Sequence, residues 1–282
     1  MDNTKMQFDA IDFTRDEIFK YTLSRDINIC KEFIRRIDPD IDTEGIRYAE
    51  TRHEIIVGIH EKRVLPDIVT RNVRNTIDLE MFRYVPDDLP RTGRYNAAMI
   101  DSKLQKNHVP ADLPDVTVIL LCIYDPLGFG DPIYHAHTVV DEHPEYDYNE
   151  GRKICIVTNQ GYEKAPEELK PVIWLLTRNT EPIDDPFYMQ IWGLVEQAKT
   201  DPEIRRQVML EIEKERAIRR ESLKEGRQEG WQKGRNEERR ESVKKMVKTL
   251  RDLDLSTEEI RKKLLEAYPD DEEMIRDIMG HE

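Results

Sequence analysis

Long apolar runs are missing from this chain. No stretch approaches the roughly 18 residues that a membrane-spanning helix requires, so no transmembrane segment is expected. Cysteine is scarce: Cys30, Cys122 and Cys155 are the only three in 282 residues. Their odd number, wide spacing and apolar surroundings argue against a disulfide framework or a cysteine metal cluster. They read as buried free thiols in a reducing compartment. The opening Met1-Asp2-Asn3-Thr4-Lys5 runs on into Asp and Arg without the apolar stretch of a secretory signal. A cytoplasmic protein without a membrane partner is the expectation.

A basic surface is also lacking. The net charge is −14, and its distribution is uneven. Residues 1–200 carry 36 acidic against 24 basic side chains, residues 204–251 carry 9 against 16, and residues 252–282 carry 11 against 4. An acidic body joined to a basic segment is a weak nucleic-acid footprint, since DNA-binding proteins normally present a basic face. It is equally compatible with an acidic metal-binding cleft and with a protein that never touches DNA.

The hydrophobic pattern is that of a mixed helix–strand protein. Thr14-Arg15-Asp16-Glu17 has the spacing of a capping box, which predicts a helix with Thr14 as its N-cap. Ile29, Cys30, Phe33, Ile34 and Ile37 predict a second helix, stopped by Pro39. Short strands are predicted over Glu54–Ile59, Leu65–Val69, Thr76–Phe82, Ile133–Val140 and Lys153–Val157. A helix is predicted over Tyr95–Gln105. Val116–Tyr124 is the most continuous apolar run and suits a strand covered on both faces. A short helix over Val172–Leu176 and an amphipathic one over Phe187–Lys199 follow.

From Pro202 to about Leu250 there is no proline, and Glu, Lys, Arg and Gln dominate. This predicts a long exposed helix or coiled coil. Gly226, Gly230 and Gly234 recur inside it at four-residue spacing. Each costs about 1 kcal/mol relative to alanine in a helix, yet together they share one face that a partner helix could approach. A solvated flexible linker is the other reading. Trp231 among them suits either base stacking or helix packing. Ser256-Thr257-Glu258-Glu259 is a further capping box, opening a short helix that ends before Pro269. The expected layout is a mixed domain over 1–178, an amphipathic and charged helical region over 179–250, and a small helical segment over 251–282.

The most chemically suggestive stretch is Pro66-Asp67 followed by Asp78-Leu79-Glu80-Met81-Phe82. Asp67 and Glu80 lie on two predicted strands joined by a polar turn. Side by side they would hold a hard divalent cation such as Mg2+, which favours carboxylate oxygens. Such a cation activates water and stabilises a departing phosphodiester oxygen.

These segments resemble, in order, the PD-(D/E)XK nuclease family transposases of bacteria, also called recombination-promoting nucleases. Asp16-Glu17-Ile18-Phe19-Lys20 is similar to the opening D-x-x-F-K helix of that family. Pro66-Asp67-Ile68-Val69 with Ile77-Asp78-Leu79-Glu80-Met81 is similar to its two core strands. Arg94-Tyr95-Asn96-Ala97-Ala98-Met99-Ile100-Asp101 is similar to its R-x-R-Y-Y-x-S-x-x-D helix, and Val118–Asp125 with Pro126-Leu127-Gly128 to its strand ending in D-P-F-G. Ile154–Gly161 resembles its I-x-L-N-T-x-G strand end, and the glycine-repeat tail and the Leu255–Ile260 helix also match its habit. The resemblance implies an α/β, restriction-endonuclease-like core, a central mixed sheet flanked by helices, with a long helical C-terminal tail. It implies a Mg2+-dependent DNA endonuclease (Mn2+ as a substitute) acting in recombination. Asp67, Glu80 and the Met81 carbonyl would be metal ligands, with Asp16 a supporting acid.

Phe82 departs from the pattern. It shares a strand face with Asp78 and Glu80, where the family carries Gln and the wider superfamily Lys. A phenyl ring neither positions water nor stabilises charge, and losing an electrostatic stabiliser typically costs about 10²–10³ in rate. Arg83 points to the opposite face. Lys20, one turn from Asp16, either reaches towards the site or is a surface lysine. A catalytically inactive member, binding DNA or protein through its tail or associating with itself along 204–250, is therefore the alternative. His135 and His137, with Asp141 and His143 nearby, have strand spacing suited to zinc. They suit an edge strand ending in a polar loop equally well.

Overall fold

The computed structural model describes residues 11–51, 67–84, 88–104, 109–179 and 181–280. The strand expected over Glu54–Ile59, the N-terminal part of that over Leu65–Val69, and Pro66 lie outside the described residues. The chain divides into two compact units, Met1–Leu210 and Glu211–Glu282.

The first unit opens with α1 (Asp16–Arg25) and α2 (Ile27–Ile37). The expected capping box at Thr14 does not form. Arg15 occupies the N-cap and its side chain makes no capping hydrogen bond, and Thr14 is buried, its amide donating to Asp12 Oδ1 at 2.9 Å. Asp12 also accepts from Arg178 Nε at 3.0 Å. The buried aspartate thus ties the chain down one step before the helix, and Thr14 serves that turn. Asp26 does cap α2, accepting from the Asn28 amide, and Ile29, Cys30, Phe33, Ile34 and Ile37 are its buried stripe.

Among the described residues six strands form one open mixed sheet in the order β1-β2-β3-β4-β6-β5. They are β1 (Ala49–Thr51), β2 (Ile68–Arg71), β3 (Asn75–Phe82), β4 (Asp115–Cys122), β5 (Ile133–Ala136) and β6 (Arg152–Thr158). β1, β2 and β3 are antiparallel neighbours. β3, β4 and β6 run parallel, and β5 returns antiparallel along β6. The strand expected over Ile133–Val140 is only half as long, because the ladder stops at Ala136.

Between β3 and β4 the chain crosses the sheet through α3 (Leu89–Leu104). Side chains alternate along a strand, so Val118, Leu120 and Cys122 present one face of β4. They pack with Ile156 beneath Leu89, Ala97, Met99 and Ile100 of α3. Gly93 permits this approach, since a Cβ there would come within 3.3 Å of both Leu120 and Ile154. The opposite face lies towards α1, α2, α4 (Lys170–Leu176) and α5 (Pro186–Thr200). Phe33 meets Phe13 and Phe187 there at ring-centroid distances of 5.8 and 6.5 Å. All three cysteines are buried and free, as their contexts predicted.

Helix α6 (Pro202–Arg251) is 50 residues long, without a break at its glycines. Every residue from 219 to 238 is exposed. A Cβ on Gly226, Gly230 or Gly234 would meet nothing within 4 Å. Trp231 is exposed too, and the Arg235 guanidinium sits 4.7 Å from its ring centroid. In the second unit Val243, Val247 and Leu250 of α6 bury against α7 (Thr257–Ala267) and α8 (Glu272–Gly280) through Ile260, Leu264, Ile275 and Ile278. The Ser256–Glu259 capping box forms as predicted, whereas α8 is an element that the sequence reading left out. No described helix is long and apolar enough to cross a membrane.

Candidate active site

The β2–β3 register, Ile68 opposite Leu79 and Val69 opposite Asp78, brings Asp67 to the side of Glu80. The contacts are specific: the Asp67 amide donates to Glu80 Oε1 at 3.3 Å, and the Met81 amide donates to Asp67 Oδ2 at 2.9 Å. In a sheet, a residue's N–H and C=O point to the same neighbour, so the Met81 carbonyl also faces the Asp67 side. The two carboxylates of the sequence motif are neighbours.

Lys20 joins them from α1. It is 9% exposed, which settles the choice between a surface lysine and one that reaches inward. Its Nζ lies 2.6 Å from Asp16 Oδ1 and 2.9 Å from Asp67 Oδ1. Asp16 is thus linked to Asp67 through the ammonium, one helical turn along α1. The pairing raises the lysine's pKa: burial works against its charge, and the two carboxylates outweigh that cost.

Asp78 is a member of the site that sequence reasoning placed on the right face but assigned no role. It is fully buried, accepts from Asn96 Nδ2 of α3 at 3.3 Å, and leaves Oδ1 without a hydrogen-bond partner. Period-two alternation with Glu80 was the signal available for it. Asn96 lay within the matched helix motif but carried no mark of this contact.

Crowding governs the electrostatics. Burial, then the Asp16 charge, pushes Asp67 up to about 6 against the pull of Lys20 and the Met81 amide. Burial pushes Asp78 to about 7, reinforced by Asp67 and opposed by Asn96. Glu80 is raised well above the ordinary range by burial and by the charges of Asp78 and Asp67. The three carboxyls therefore crowd one another, with the Lys20 ammonium paired to Asp67 alone of the three, in a setting where each prefers a proton or a cation. All the donors are oxygens, and the buried Asp78 Oδ1 lacks a partner. That donor chemistry fits a hard divalent cation. Among the described residues no third carboxylate joins Asp67 and Glu80 with ligand atoms all within 4.8 Å. A cation on this pair would keep several waters, as Mg2+ usually does.

Phe82 shares the face of Asp78 and Glu80 and packs against the apolar cluster under α3. It supplies no polar group to the site. Asp125 of the D-P-x-G segment is a loop organiser instead, accepting from the amides of Leu127 at 3.0 Å and Gly130 at 2.7 Å. The histidines separate: His135 is on β5, His137 follows the end of that strand, and His143 pairs with Glu145 at 3.1 Å.

No protein-family profile, no curated protein and no solved structure matches this chain.

Proposed function

We propose that the chain is a metal-dependent DNA endonuclease with a PD-(D/E)XK core, of the family its motifs resemble. In this reading Asp67 and Glu80, with the Met81 carbonyl, hold Mg2+ or Mn2+. The observation that carries it is the crowding of the Asp67, Asp78 and Glu80 carboxyls, all three held above their ordinary pKa, with the Lys20 ammonium paired to Asp67. Supporting it is the order of elements around the site. A helix, an antiparallel β1-β2-β3 meander, a crossover helix and a parallel β4 agree with the central mixed sheet flanked by helices that the resemblance implies.

A divalent cation bound on these oxygens supplies charge stabilisation at a phosphodiester and a bound water of lowered pKa. The chain's own groups supply the rest. Asp67 offers its carboxylate to the cation while the Lys20 ammonium and the Met81 amide fix its orientation. Lys20 Nζ places a fixed positive charge beside Asp67, compensating for the polar group that Phe82 does not provide. Asp16 holds Lys20, and Asn96 holds Asp78. The basic side chains of residues 204–251 meet DNA phosphates.

Phe82 favours a second reading, in which the fold and the metal site persist without turnover. Helix α6, exposed from 219 to 238, then serves as a DNA-binding, protein-binding or self-association surface. Incubating purified protein with supercoiled DNA and Mg2+ separates the readings. Nicking that disappears in Asp67→Ala and in Glu80→Ala supports the nuclease. No nicking by a protein that still binds Mg2+ supports the second reading. Nicking unchanged in Asp67→Ala removes the site assignment.

A further inference from the structure

At the opposite edge of the sheet from β1, a different set of donors converges. His135 of β5 and Cys155 of β6 are directly opposed in the antiparallel register. Opposed residues share a face, with Cβ atoms about 4.5–5.5 Å apart. Asp38, at the C-cap of α2, closes over that face, its Oδ2 lying 3.9 Å from His135 Nε2. The carboxylate, imidazole and thiol ligand atoms all lie within 4.8 Å of one another, the single such trio among the described residues. Three separate elements bring them together.

Donor type identifies the ligand. A thiol, an imidazole and a carboxylate form the mixed sulfur, nitrogen and oxygen set that suits zinc, and Mg2+ does not seek sulfur. Cys155 is fully buried and Asp38 nearly so, whereas the His135 side chain is 47% exposed and leaves a path for entry. His135 and Lys153 also line a recess of about 380 Å3 that Asp40 and His137 border. Of the three donors His135 alone lines that recess, so an ion would be approached from its side, and three protein ligands would leave zinc one position for water.

We propose that Asp38, His135 and Cys155 form a binding site for one Zn2+ ion, separate from the Asp67–Glu80 site and independent of its function. Binding forms a zinc–sulfur bond and releases the Cys155 thiol proton to solvent, and no electron is transferred. The thiol is fully buried, and its proton leaves as the metal arrives. Lys153 opposes the ion, its Nζ lying 3.0 Å from Asp38 Oδ2. A dication on Asp38 displaces this ammonium, and Lys153 therefore sets the affinity.

Co2+ added to the full-length protein tests this, because a thiolate on cobalt gives a near-ultraviolet charge-transfer band. The expected result is one band-forming Co2+ per chain, displaced by Zn2+, absent in Cys155→Ser and retained in Glu80→Ala. His135→Ala, at a half-exposed position, weakens binding at least tenfold. Lys153→Met strengthens it about tenfold, the value of one charge-assisted hydrogen bond to Asp38. No band in the parent protein overturns the proposal. So does a band surviving Cys155→Ser, which would move the thiolate to Cys30 or Cys122, or unchanged affinity in His135→Ala should the cysteine variant fail to fold.

Discussion

Replacing Asp78 with asparagine is expected to stabilise the protein in a strongly pH-dependent way. A carboxyl whose folded pKa is raised costs stability wherever it is ionised in the native state. The penalty is absent below the unfolded pKa, grows as pH rises, and is complete above the folded pKa. For Asp78 those limits are 3.8 and about 7. At 1.36 kcal/mol per pH unit the full penalty is about 4 kcal/mol. By the same relation roughly 2 kcal/mol has already accrued at pH 5, leaving about 2–3 kcal/mol to appear between pH 5 and pH 8. Asparagine keeps an acceptor for Asn96 and removes the charge. Urea denaturation of both proteins at the two pH values measures the difference. The stability gain of Asp78→Asn should widen by about 2–3 kcal/mol from pH 5 to pH 8. A gain of constant size, or a loss at both values, would show that Asp78 is not a strained buried acid.

Three further outcomes follow from the same geometry. Lys20→Met removes the ammonium that holds Asp67 down, so the Asp67 carboxyl, followed by NMR titration, should move above about 6, and nicking should fall by about 10² or more; an unmoved carboxyl contradicts the pairing. Phe82→Lys restores the superfamily's residue type but buries an ammonium against apolar side chains. It should cost about 1–3 kcal/mol in urea denaturation without raising activity, and a variant of clearly raised activity would show that Lys20 is no substitute. Gly226, Gly230 and Gly234, each changed to Ala, should add about 1 kcal/mol of helix stability apiece, read from thermal melts. If the glycine face instead holds a closely packed partner helix, the triple variant should dissociate in light scattering.

Much of the architecture was legible because period and composition act locally. The stripe Ile29–Ile37, the apolar run of β4 and the proline-free α6 each declare their element. Asp67 and Glu80 were legible as neighbours once their two segments were taken as adjacent strands. What escaped depends on long-range placement. Lys20 reads as an ordinary i, i+4 partner of Asp16 until α1 is laid against β2. Thr14 has the chemistry of a cap, but the buried Asp12 competes for its hydroxyl and amide. His135 was grouped with His137 by spacing, whereas the β5–β6 register pairs it with Cys155 and ends the strand before His137. Helix α8 is nine residues long and gains its stability from Val243 and Val247 of α6, which nothing in its own segment announces.

Calorimetric titration of the intact chain and of Glu80→Ala with Mg2+ tests the central claim most directly. One Mg2+ should bind per chain at the Asp67–Glu80 pair, and that binding should be lost in the variant. Absence of binding in the parent protein, or binding unchanged by Glu80→Ala, would contradict it.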